Sequence, residues 1–503
     1  MSLAIVHSRA TLGIEAPLVT VEVHLSGGLP AFNIVGLPET AVKESRERVR
    51  SAILNAQLEY PQRRITINLA PADLPKTGGR FDLAIAIGIL AASEQVDAQR
   101  VAPCIFIGEL ALTGEVRRVN GILPALLASQ RDGQRCIVPR GNAGEAALLQ
   151  DADIVVCEHL LDLLRHYRED TPLLKPEKTT ASPPAHTMDF SDVVGQDAAK
   201  RALIIAAAGG HNVLLRGPPG TGKTMLASRL VTILPPLTQD QAMEVAAIRS
   251  IAGLGFEHEA WLQPPFRAPH HTSSAIALAG GGSTLHTGEI SLAHHGVLFL
   301  DELPEFNPKV LDVLREPLEA GCVQIARAKY QVKLPANFQL VAACNPCPCG
   351  YHGDRERECR CSEERVKHYQ QRVSGPLLDR IDLQVSVPRL NDSERDALLQ
   401  QGQSMAIDSA GIRATVIACR ERQLARAGRS NARLEQRQIR QHCALTASDR
   451  KLLNDAVTRL RLSARATFRI LKIARTIADL DEAAGIATPH LLEGINYRRF
   501  DTL

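Results

Sequence analysis

Eight consecutive residues carry the strongest chemical signal in this 503-residue sequence. They follow an apolar segment, Asn212 to Leu215, and precede a helical pattern, Met225 to Leu234. Glycines in such a loop let backbone N–H groups surround phosphates, the lysine neutralises β- and γ-phosphate charge, and the last hydroxyl ligates Mg²⁺. The loop residues are Gly217, Pro218, Pro219, Gly220, Thr221, Gly222, Lys223 and Thr224. The pattern predicts an ATP site that uses Mg²⁺.

Two adjacent acidic residues, Asp301 and Glu302, end a second apolar segment, Gly296 to Leu300. Parallel strands deliver their terminal residues to one edge of a sheet, so Asp301 would hold Mg²⁺ and Glu302 would deprotonate the attacking water. The alternative is a pair of acids that only cap a strand. Their position about 80 residues after the phosphate loop favours the catalytic interpretation.

Cysteines form a third group of chemical interest, because five of the 11 fall between Cys344 and Cys361. Four thiolates on two short turns can enclose Zn²⁺ tetrahedrally. The predicted ligands are Cys347, Cys349, Cys359 and Cys361. Unligated reduced thiols are the alternative, and His352 or His368 would be substitute ligands.

The elements that position these groups fall into three parts joined by one linker. Residues 1–170 alternate short β patterns with helical ones, which predicts an α+β domain. Residues 171–188 are rich in proline and polar residues and predict a linker. Residues 189–390 surround the phosphate loop with strands and helices and include the cysteine-rich loop 344–361, whereas residues 391–503 read as helices. The predicted fold is therefore multidomain α/β.

Composition excludes several classes of protein. With 45% hydrophobic and 22% charged residues, the chain is neither disordered nor fibrous. The longest apolar run, Leu83 to Ala92, is shorter than the ~20 residues of a membrane span, and no export signal begins the sequence. We expect a cytoplasmic protein without a membrane partner.

Charge is unevenly distributed, although the formal net charge is only +3. Between Arg413 and Arg475, 16 Lys or Arg stand against 4 Asp or Glu. Such a basic region favours a nucleic-acid partner, and a solvated helix surface is the alternative.

Other segments give the chain a clear resemblance to AAA+ ATPases. Residues Phe190 to Gln196, which include Val194 and Gly195, resemble the adenine-contacting segment of those enzymes. The resemblance implies that Asn345 is the first sensor residue, that Arg380 is an arginine finger and that Arg465 is the second sensor. The central domain is then an AAA+ P-loop domain, and the C-terminal helices form its lid.

Within the AAA+ proteins, nearly the full chain resembles the ComM (YifB) family of magnesium-chelatase-like proteins. The resemblance rests on residues 288–303, 266–272 and 345–350. It implies a ring, expected to be a hexamer, that uses ATP to drive DNA branch migration during natural transformation. DNA, single-stranded or branched, and recombination proteins are the implied partners.

The N-terminal domain resembles Lon-type proteases, which have a ribosomal S5 domain 2-like fold. The matching segments are Pro75–Asp82 and Gly114–Leu123. A Ser/Lys dyad needs a hydroxyl nucleophile and an unprotonated amine. Arg80 and Leu123 occupy those two positions, so we expect a scaffold without peptidase activity.

DNA contacts are expected on a channel loop of the ring. Residues 323–334 alternate as a β-hairpin and carry cations at Arg327, Lys329 and Lys333. A solvated hairpin is the alternative. Two further functions also fit the sequence: a magnesium-chelatase-like ATPase that remodels a protein partner, and an AAA+ protein-remodelling chaperone.

Overall fold

The computed structural model describes residues 2–36, 42, 44–177, 188–282, 286–326, 331–354, 356–399 and 408–498. The chain forms two compact units. The first holds residues 1–183 together with 242–261 and 324–334, and the second holds the remaining residues. Unit 1 therefore includes one segment that lies between the phosphate loop and Asp301 in the sequence, and a second that lies between Glu302 and Asn345.

Unit 1 is built on a mixed sheet whose described strands run in the order β3-β4-β2-β1-β5-β8-β9. The pairs β1/β2 and β2/β4 are antiparallel, while β1, β5, β8 and β9 pair in parallel. A short antiparallel pair, β6/β7, lies outside that sheet. The strands are β1 (Ser2–Arg9), β2 (Leu18–Ser26), β3 (Ala31–Val35), β4 (Arg64–Ala70), β5 (Cys104–Phe106), β6 (Glu109–Leu110), β7 (Val116–Arg117), β8 (Arg135–Pro139) and β9 (Ile154–Cys157).

Helices cover this sheet, and the apolar side chains between helices and sheet form the core of unit 1. They are α1 (Ser45–Asn55), α2 (Asp82–Ala92), α3 (Ala98–Val101), α4 (Ile122–Arg131), α5 (Ala143–Ala146) and α6 (Leu160–Glu169). Every residue of α2 is buried, because this apolar helix packs on the central strands β1 and β2. The predicted α+β character of this region is confirmed.

Unit 2 contains a parallel sheet with the strand order β11-β14-β17-β10-β18 among the described residues. The strands β14 and β17 are buried along their length, as expected when both faces of a parallel sheet are covered. The strands are β10 (Val213–Arg216), β11 (Phe266–Arg267), β14 (Val297–Leu300), β17 (Gln339–Cys344) and β18 (Leu383–Ser386). Two further strand pairs follow in the chain: β12 (Gly280–Gly281) with β13 (His286–Thr287) in unit 2, and β15 (Cys322–Ala326) with β16 (Gln331–Pro335), most of which belongs to unit 1.

The helices from residue 188 onward complete the chain. They are α7 (Asp197–Gly209), α8 (Lys223–Ile233), α9 (Gln239–Ile251), α10 (Ala275–Ala279), α11 (Glu289–Leu292), α12 (Pro308–Asp312), α13 (Arg315–Ala320), α14 (Glu363–Gln371), α15 (Gly375–Leu378), α16 (Asp392–Leu399), α17 (Ser409–Ala427), α18 (Gln436–His442), α19 (Ala447–Arg459), α20 (Ala464–Leu480) and α21 (Thr488–Asn496). The region after residue 391 is helical in all its described elements, as predicted. None of the described helices is both long and apolar enough to cross a bilayer.

Two segments of unit 1 come from the part of the sequence that was predicted to be the ATPase domain. In the first, the backbone N–H of Gly121 donates to the carbonyl of Ser250, at 2.8 Å, near the end of α9. In the second, Val332 and Leu334 of β16 are buried, and Val332 lies against Gly13. The predicted boundaries follow chain order, whereas the compact units interleave along it.

Candidate functional site

The phosphate loop connects β10 to α8, as the sequence predicts. Gly217 makes room for the close passage of another strand end, since a Cβ atom there would lie 2.1 Å from the carbonyl oxygen of Val387. Gly222 has φ +83°, a left-handed conformation that favours glycine, and it precedes the first helical residue, Lys223. The Thr221 hydroxyl donates to the carbonyl of Pro218 at 3.0 Å and closes the loop.

The Lys223 ammonium is held inside this loop by oxygen atoms. It donates to the carbonyls of Gly217 and Pro218, each at 2.8 Å, and to Asn345 Oδ1 at 3.1 Å. Burial lowers the pKa of Lys223, and the nearby Asp301 carboxylate opposes that shift. The structure thus brings Lys223 together with Asn345, which lies directly after β17.

The two predicted Mg²⁺ ligands also lie together. The Thr224 hydroxyl donates to Asp301 Oδ2 at 2.7 Å, and Asp301 directly follows β14. A hydroxyl and a carboxylate at this spacing are oxygen ligands of the kind Mg²⁺ prefers. Both side chains stand at the carboxyl edge of the sheet, beside the phosphate loop.

Glu302 has a left-handed backbone, with φ 51°, and its N–H donates to Asp301 Oδ1 at 2.9 Å. Non-glycine residues in this conformation cost about 1–3 kcal/mol and cluster at functional sites. The carboxylate is half-exposed, and its Oε2 lies 3.4 Å from His271 Nδ1. Sequence reasoning missed His271, because a histidine doublet such as His270-His271 reads as polar packing.

The segment resembling an adenine contact packs beside the end of the same sheet. Val194 and Gly195 are half-buried. A Cβ at Gly195 would lie 2.4 Å from Glu394 Oε1, and Gln196 Nε2 donates to the carbonyl of Pro388 at 2.6 Å. The arrangement joins this segment to the chain that follows β18, and the adenine contact stays a prediction.

Arg380 and Arg465 do not join the phosphate loop. They line a cavity of about 420 Å³ together with Asn212, Phe338 and Asp382, which directly precede β10, β17 and β18. Because these strands are parallel, this cavity lies at the amino edge of the sheet and the phosphate loop lies at the carboxyl edge. Within one chain, Arg380 and Arg465 therefore lie at the opposite edge of the sheet from Lys223.

The cysteine loop brings four thiols into one cluster, the four that the spacing predicts. Sulfur–sulfur distances are 3.3 Å for Cys347–Cys349, and 3.6 Å from Cys359 to each of these two. The Cys361 sulfur belongs to the same group, in which all the ligand atoms lie within 4.8 Å of one another. A tetrahedral site with Zn–S bonds of ~2.3 Å would separate its sulfurs by about 3.8 Å, so the residues fit Zn²⁺.

Backbone groups favour thiolate at one of these cysteines. Burial would raise the pKa of Cys349, but N–H groups of Tyr351 and Arg360 lower it to about 6. Cys344, at the end of β17, stands outside the cluster, and burial raises its pKa to about 11. The loop also contacts the phosphate loop, since a Cβ at Gly350 would lie 2.6 Å from Pro219.

Three family models match the chain in succession. The model described as subunit ChlI of magnesium chelatase matches residues 21–142 and the model described as magnesium chelatase, subunit ChlI, matches residues 189–395. A third, for the C-terminal part of subunit ChlI, matches residues 406–498.

Full-length relatives decide the assignment. Competence protein ComM of Haemophilus influenzae is 50% identical over 99% of this chain and 98% of its own length. The chain belongs to the ComM/YifB family. YifB of Salmonella typhimurium is 49% identical over 100% of the chain and 98% of its own length. The magnesium-chelatase 67 kDa subunit of Chlorobaculum parvum is more distant, 29% identical over 31% of this chain and 23% of its own.

Of the three cations predicted to bind DNA, one lies among the described residues. Arg327 and Lys329 lie outside the described residues. Lys333 is exposed on β16, and its neighbours Val332 and Leu334 are buried. The described strand thus directs one cation outward.

Fewer cations of the basic region 413–475 are free to bind a polyanion than its charge indicates. Nine of its 16 cations bind the protein's own carbonyls or polar side chains: Arg413, Arg420, Arg422, Arg426, Arg429, Arg433, Arg469, Lys472 and Arg475. Arg420 shows the reason. It donates to the carbonyls of Ala207 and Ala208 at the end of α7, and burial lowers its pKa to about 10. Exposed cations remain at Arg437, Arg440, Arg450, Lys451, Arg459, Arg461 and Arg465.

Proposed function

We propose that the protein is an AAA+ ATPase that assembles into a ring, a hexamer, and moves DNA. The observation that carries the proposal is the separation of two half-sites in one chain. Lys223, Asp301 and Glu302 stand at one edge of the parallel sheet, and Arg380 and Arg465 at the other. A repeated head-to-tail contact would bring the arginines of one subunit to the phosphate loop of the next.

In this proposal each side chain has one task at the nucleotide. Lys223 binds the β- and γ-phosphates, and Thr224 and Asp301 hold the Mg²⁺ that neutralises phosphate charge. Glu302 accepts a proton from the attacking water, and Asn345 orients that water beside it. Arg380 of the neighbouring subunit stabilises charge on the γ-phosphate, and Arg465 acts from the same side.

DNA is the proposed substrate, in single-stranded or branched form, with branch migration of recombination intermediates as the outcome. A 50%-identical relative named as a competence protein supports a role in natural transformation. Recombination proteins are the expected partners. The exposed Lys333 and the predicted cations Arg327 and Lys329 would grip phosphates without reading sequence.

We further propose that Cys347, Cys349, Cys359 and Cys361 hold one Zn²⁺. The metal would act as a structural centre that fixes the loop against Pro219 of the phosphate loop. The N-terminal unit is proposed to be a Lon-like scaffold without peptidase activity, since Arg80 and Leu123 replace the dyad.

Subunit mixing tests the shared site. Lys223→Ala subunits lack a working phosphate loop, and Arg380→Ala subunits lack the finger, so neither hydrolyses ATP alone. Mixed rings should regain ATPase activity, because an intact finger can meet an intact loop. Arg365→Ala subunits, which lose an exposed arginine on α14, should be active on their own. No recovery at any ratio, in rings shown to be mixed, would place Arg380 in a structural role.

A second candidate is a magnesium-chelatase-like ATPase that remodels a protein partner. The matches to subunit ChlI favour it, and so does the internal use of nine basic residues in the region 413–475. A chaperone that acts on unfolded protein is the third. ATPase rates measured with DNA, with a chelatase partner and with unfolded protein separate these functions, since each substrate should accelerate only its own motor.

A further inference from the structure

Every nitrogen of the Arg380 guanidinium is engaged by the same chain. Nε donates to the carbonyl of Arg315 at 3.1 Å, and Nη1 donates to the carbonyl of Pro376 at 2.7 Å. Nη2 forms an ion pair with Glu319 Oε1 at 2.6 Å. Glu319 is the charged partner among these three, so it competes most directly with a phosphate for this side chain.

The two members of this ion pair differ in exposure. The Arg380 side chain is 12% exposed, whereas that of Glu319 is 58% exposed. An arginine buried to this degree has little freedom to reach outward while the pair is intact. Glu319 can leave into water at low cost, because its own carboxylate is already more than half exposed and the two carbonyls remain bound to Arg380.

Glu319 also stands at the base of the hairpin that is proposed to bind DNA. It lies in the last turn of α13, which ends at Ala320, and β15 begins at Cys322. The Gly321 carbonyl between them accepts the N–H of Ala336 at 2.8 Å and closes the hairpin base. A displacement of this hairpin base therefore acts on the turn that carries Glu319.

A lid residue meets the same hairpin base. Arg433 donates from Nη2 to Asn337 Oδ1, one residue beyond Ala336. Arg433, Glu319 and Arg380 all line the cavity at the amino edge of the sheet. The hairpin base, the lid and the arginine finger thus share one space.

We propose that the Glu319–Arg380 ion pair is a latch that keeps the arginine finger from the neighbouring subunit's nucleotide until load on the hairpin moves α13. Glu319 is then a positioning residue that restrains hydrolysis in the neighbour. The inference rests on the proposed role of Arg380 as a finger acting between subunits. Its consequence is that an empty ring hydrolyses ATP slowly and a loaded ring faster.

Glu319→Gln tests the latch in the full-length protein without DNA. Removal of the carboxylate should raise kcat about two- to fivefold, the range that one partly exposed ion pair supports, with KM for ATP unchanged. Glu319→Asp, which retains the charge, should return kcat toward the wild-type value. Glu316→Gln is the matched control, since Glu316 is exposed on the same helix and should leave kcat unchanged.

A mixed ring shows whether the effect crosses between subunits. Glu319→Gln/Lys223→Ala subunits cannot hydrolyse ATP, but their fingers are released. Added to wild-type subunits, they should support a higher rate than Lys223→Ala subunits at the same ratio. A single-stranded oligonucleotide should then stimulate Glu319→Gln rings less than wild-type rings, because the latch is already open.

The outcomes separate the latch from the finger. If Arg380→Ala abolishes hydrolysis but Glu319→Gln leaves the DNA-free kcat unchanged, or changes only KM, the latch is wrong and the finger stands. If Arg380→Ala hydrolyses ATP at the wild-type rate, both fail. A raised kcat for Glu319→Gln that disappears in the Glu319→Gln/Arg380→Ala double variant supports both.

Discussion

Glu302 combines a left-handed backbone with a carboxylate next to His271. The conformation is strained for a residue with a Cβ. The backbone N–H of Glu302 helps to retain it, because it donates to the Asp301 carboxylate. The strain therefore falls at the residue that is proposed to accept a proton from water. His271 lies close enough to the Glu302 carboxylate to orient it.

Glu302→Gln should bind ATP normally and lose hydrolysis by about 10²- to 10⁴-fold, because the amide keeps the shape but cannot accept a proton. Nucleotide binding by fluorescence and single-turnover hydrolysis measure the two effects separately. Glu305→Gln, in the following turn and paired with Arg372, should leave both nearly unchanged. Wild-type hydrolysis by Glu302→Gln would remove it as the base.

At this scale the sequence predicts the groups that local chain order brings together. The phosphate loop follows a strand and Asp301 ends another, so the contact between Thr224 and Asp301 follows from parallel pairing alone. The position of His271 does not follow, because it depends on a loop with no periodic pattern. The contacts of Arg380 with Glu319 and Arg315 depend on packing that no motif records.

Among the elements, β18 is tied to the lid by one buried ion pair. Asp382, which precedes β18, accepts from Arg469 Nη1 on α20 at 2.6 Å and from the backbone N–H of Asn212 at 3.0 Å. Burial alone would raise the pKa of Asp382, but Arg469 and His211 hold it well below its usual range. The carboxylate therefore stabilises the fold at neutral pH.

Arg469→Met should lower the free energy of unfolding by up to about 3–5 kcal/mol at pH 7, because it leaves the buried carboxylate of Asp382 with only His211 and the Asn212 N–H as partners. The wild-type contribution is present above the unfolded pKa of ~3.9 and is lost as pH falls through the lower folded pKa. In the variant the folded pKa of Asp382 rises, because burial is then opposed only by His211 and Asn212, so acid relieves part of the penalty. Urea unfolding at falling pH should show the gap narrowing.

A matched substitution on the same helix controls for the loss of positive charge. Lys472 donates to the carbonyl of Ala432, and it interacts with Asp382 through charge rather than through a hydrogen bond. Lys472→Met should cost less than Arg469→Met and show a weaker pH dependence, because its attraction to Asp382 lacks a hydrogen bond. Equal losses at every pH would mean that Asp382 is not the group responsible.

The cysteine loop is the second element with a measurable consequence. Purified protein should carry about one Zn²⁺ per chain. Cys349→Ser and Cys359→Ser should lose the metal and weaken ATP hydrolysis, since the loop contacts Pro219, while Cys344→Ser should retain the metal. Elemental analysis after purification without chelators decides the point, and an absence of zinc would contradict the site.

For the elements, sequence periodicity predicts the helical C-terminal region but not what its arginines contact. Arg420 binds carbonyls more than 200 residues away, and Arg426 binds Asp479 on another helix. A charge count treats such groups as exposed. The structure shows that many of them terminate helices or join them, which a local pattern cannot reveal.

At the scale of the whole molecule, the proposed function requires a basic surface that binds DNA. Lys333→Ala should weaken DNA binding and reduce the magnitude of the salt slope by about 1, as expected for one lost phosphate contact. Lys309→Ala removes a cation from the exposed surface of α12 and should leave the slope unchanged. Fluorescence anisotropy over a salt series measures both.

Arg437→Ala and Arg440→Ala test whether DNA binds to another surface. Both arginines are exposed on α18 and line a shallow pocket of the lid. If their loss reduces the slope and the loss of Lys333 does not, the lid carries the DNA.

Unit 1 draws on three separate stretches of the chain, and this limits how the protein can be dissected. A fragment that starts after the proline-rich linker would retain residues 242–261 and 324–334 without the sheet they pack on. Ile248, Val332 and Leu334 would then meet water and invite aggregation. The reciprocal fragment would lose the residues that cover its own surface. Truncations that keep all three stretches together therefore preserve unit 1.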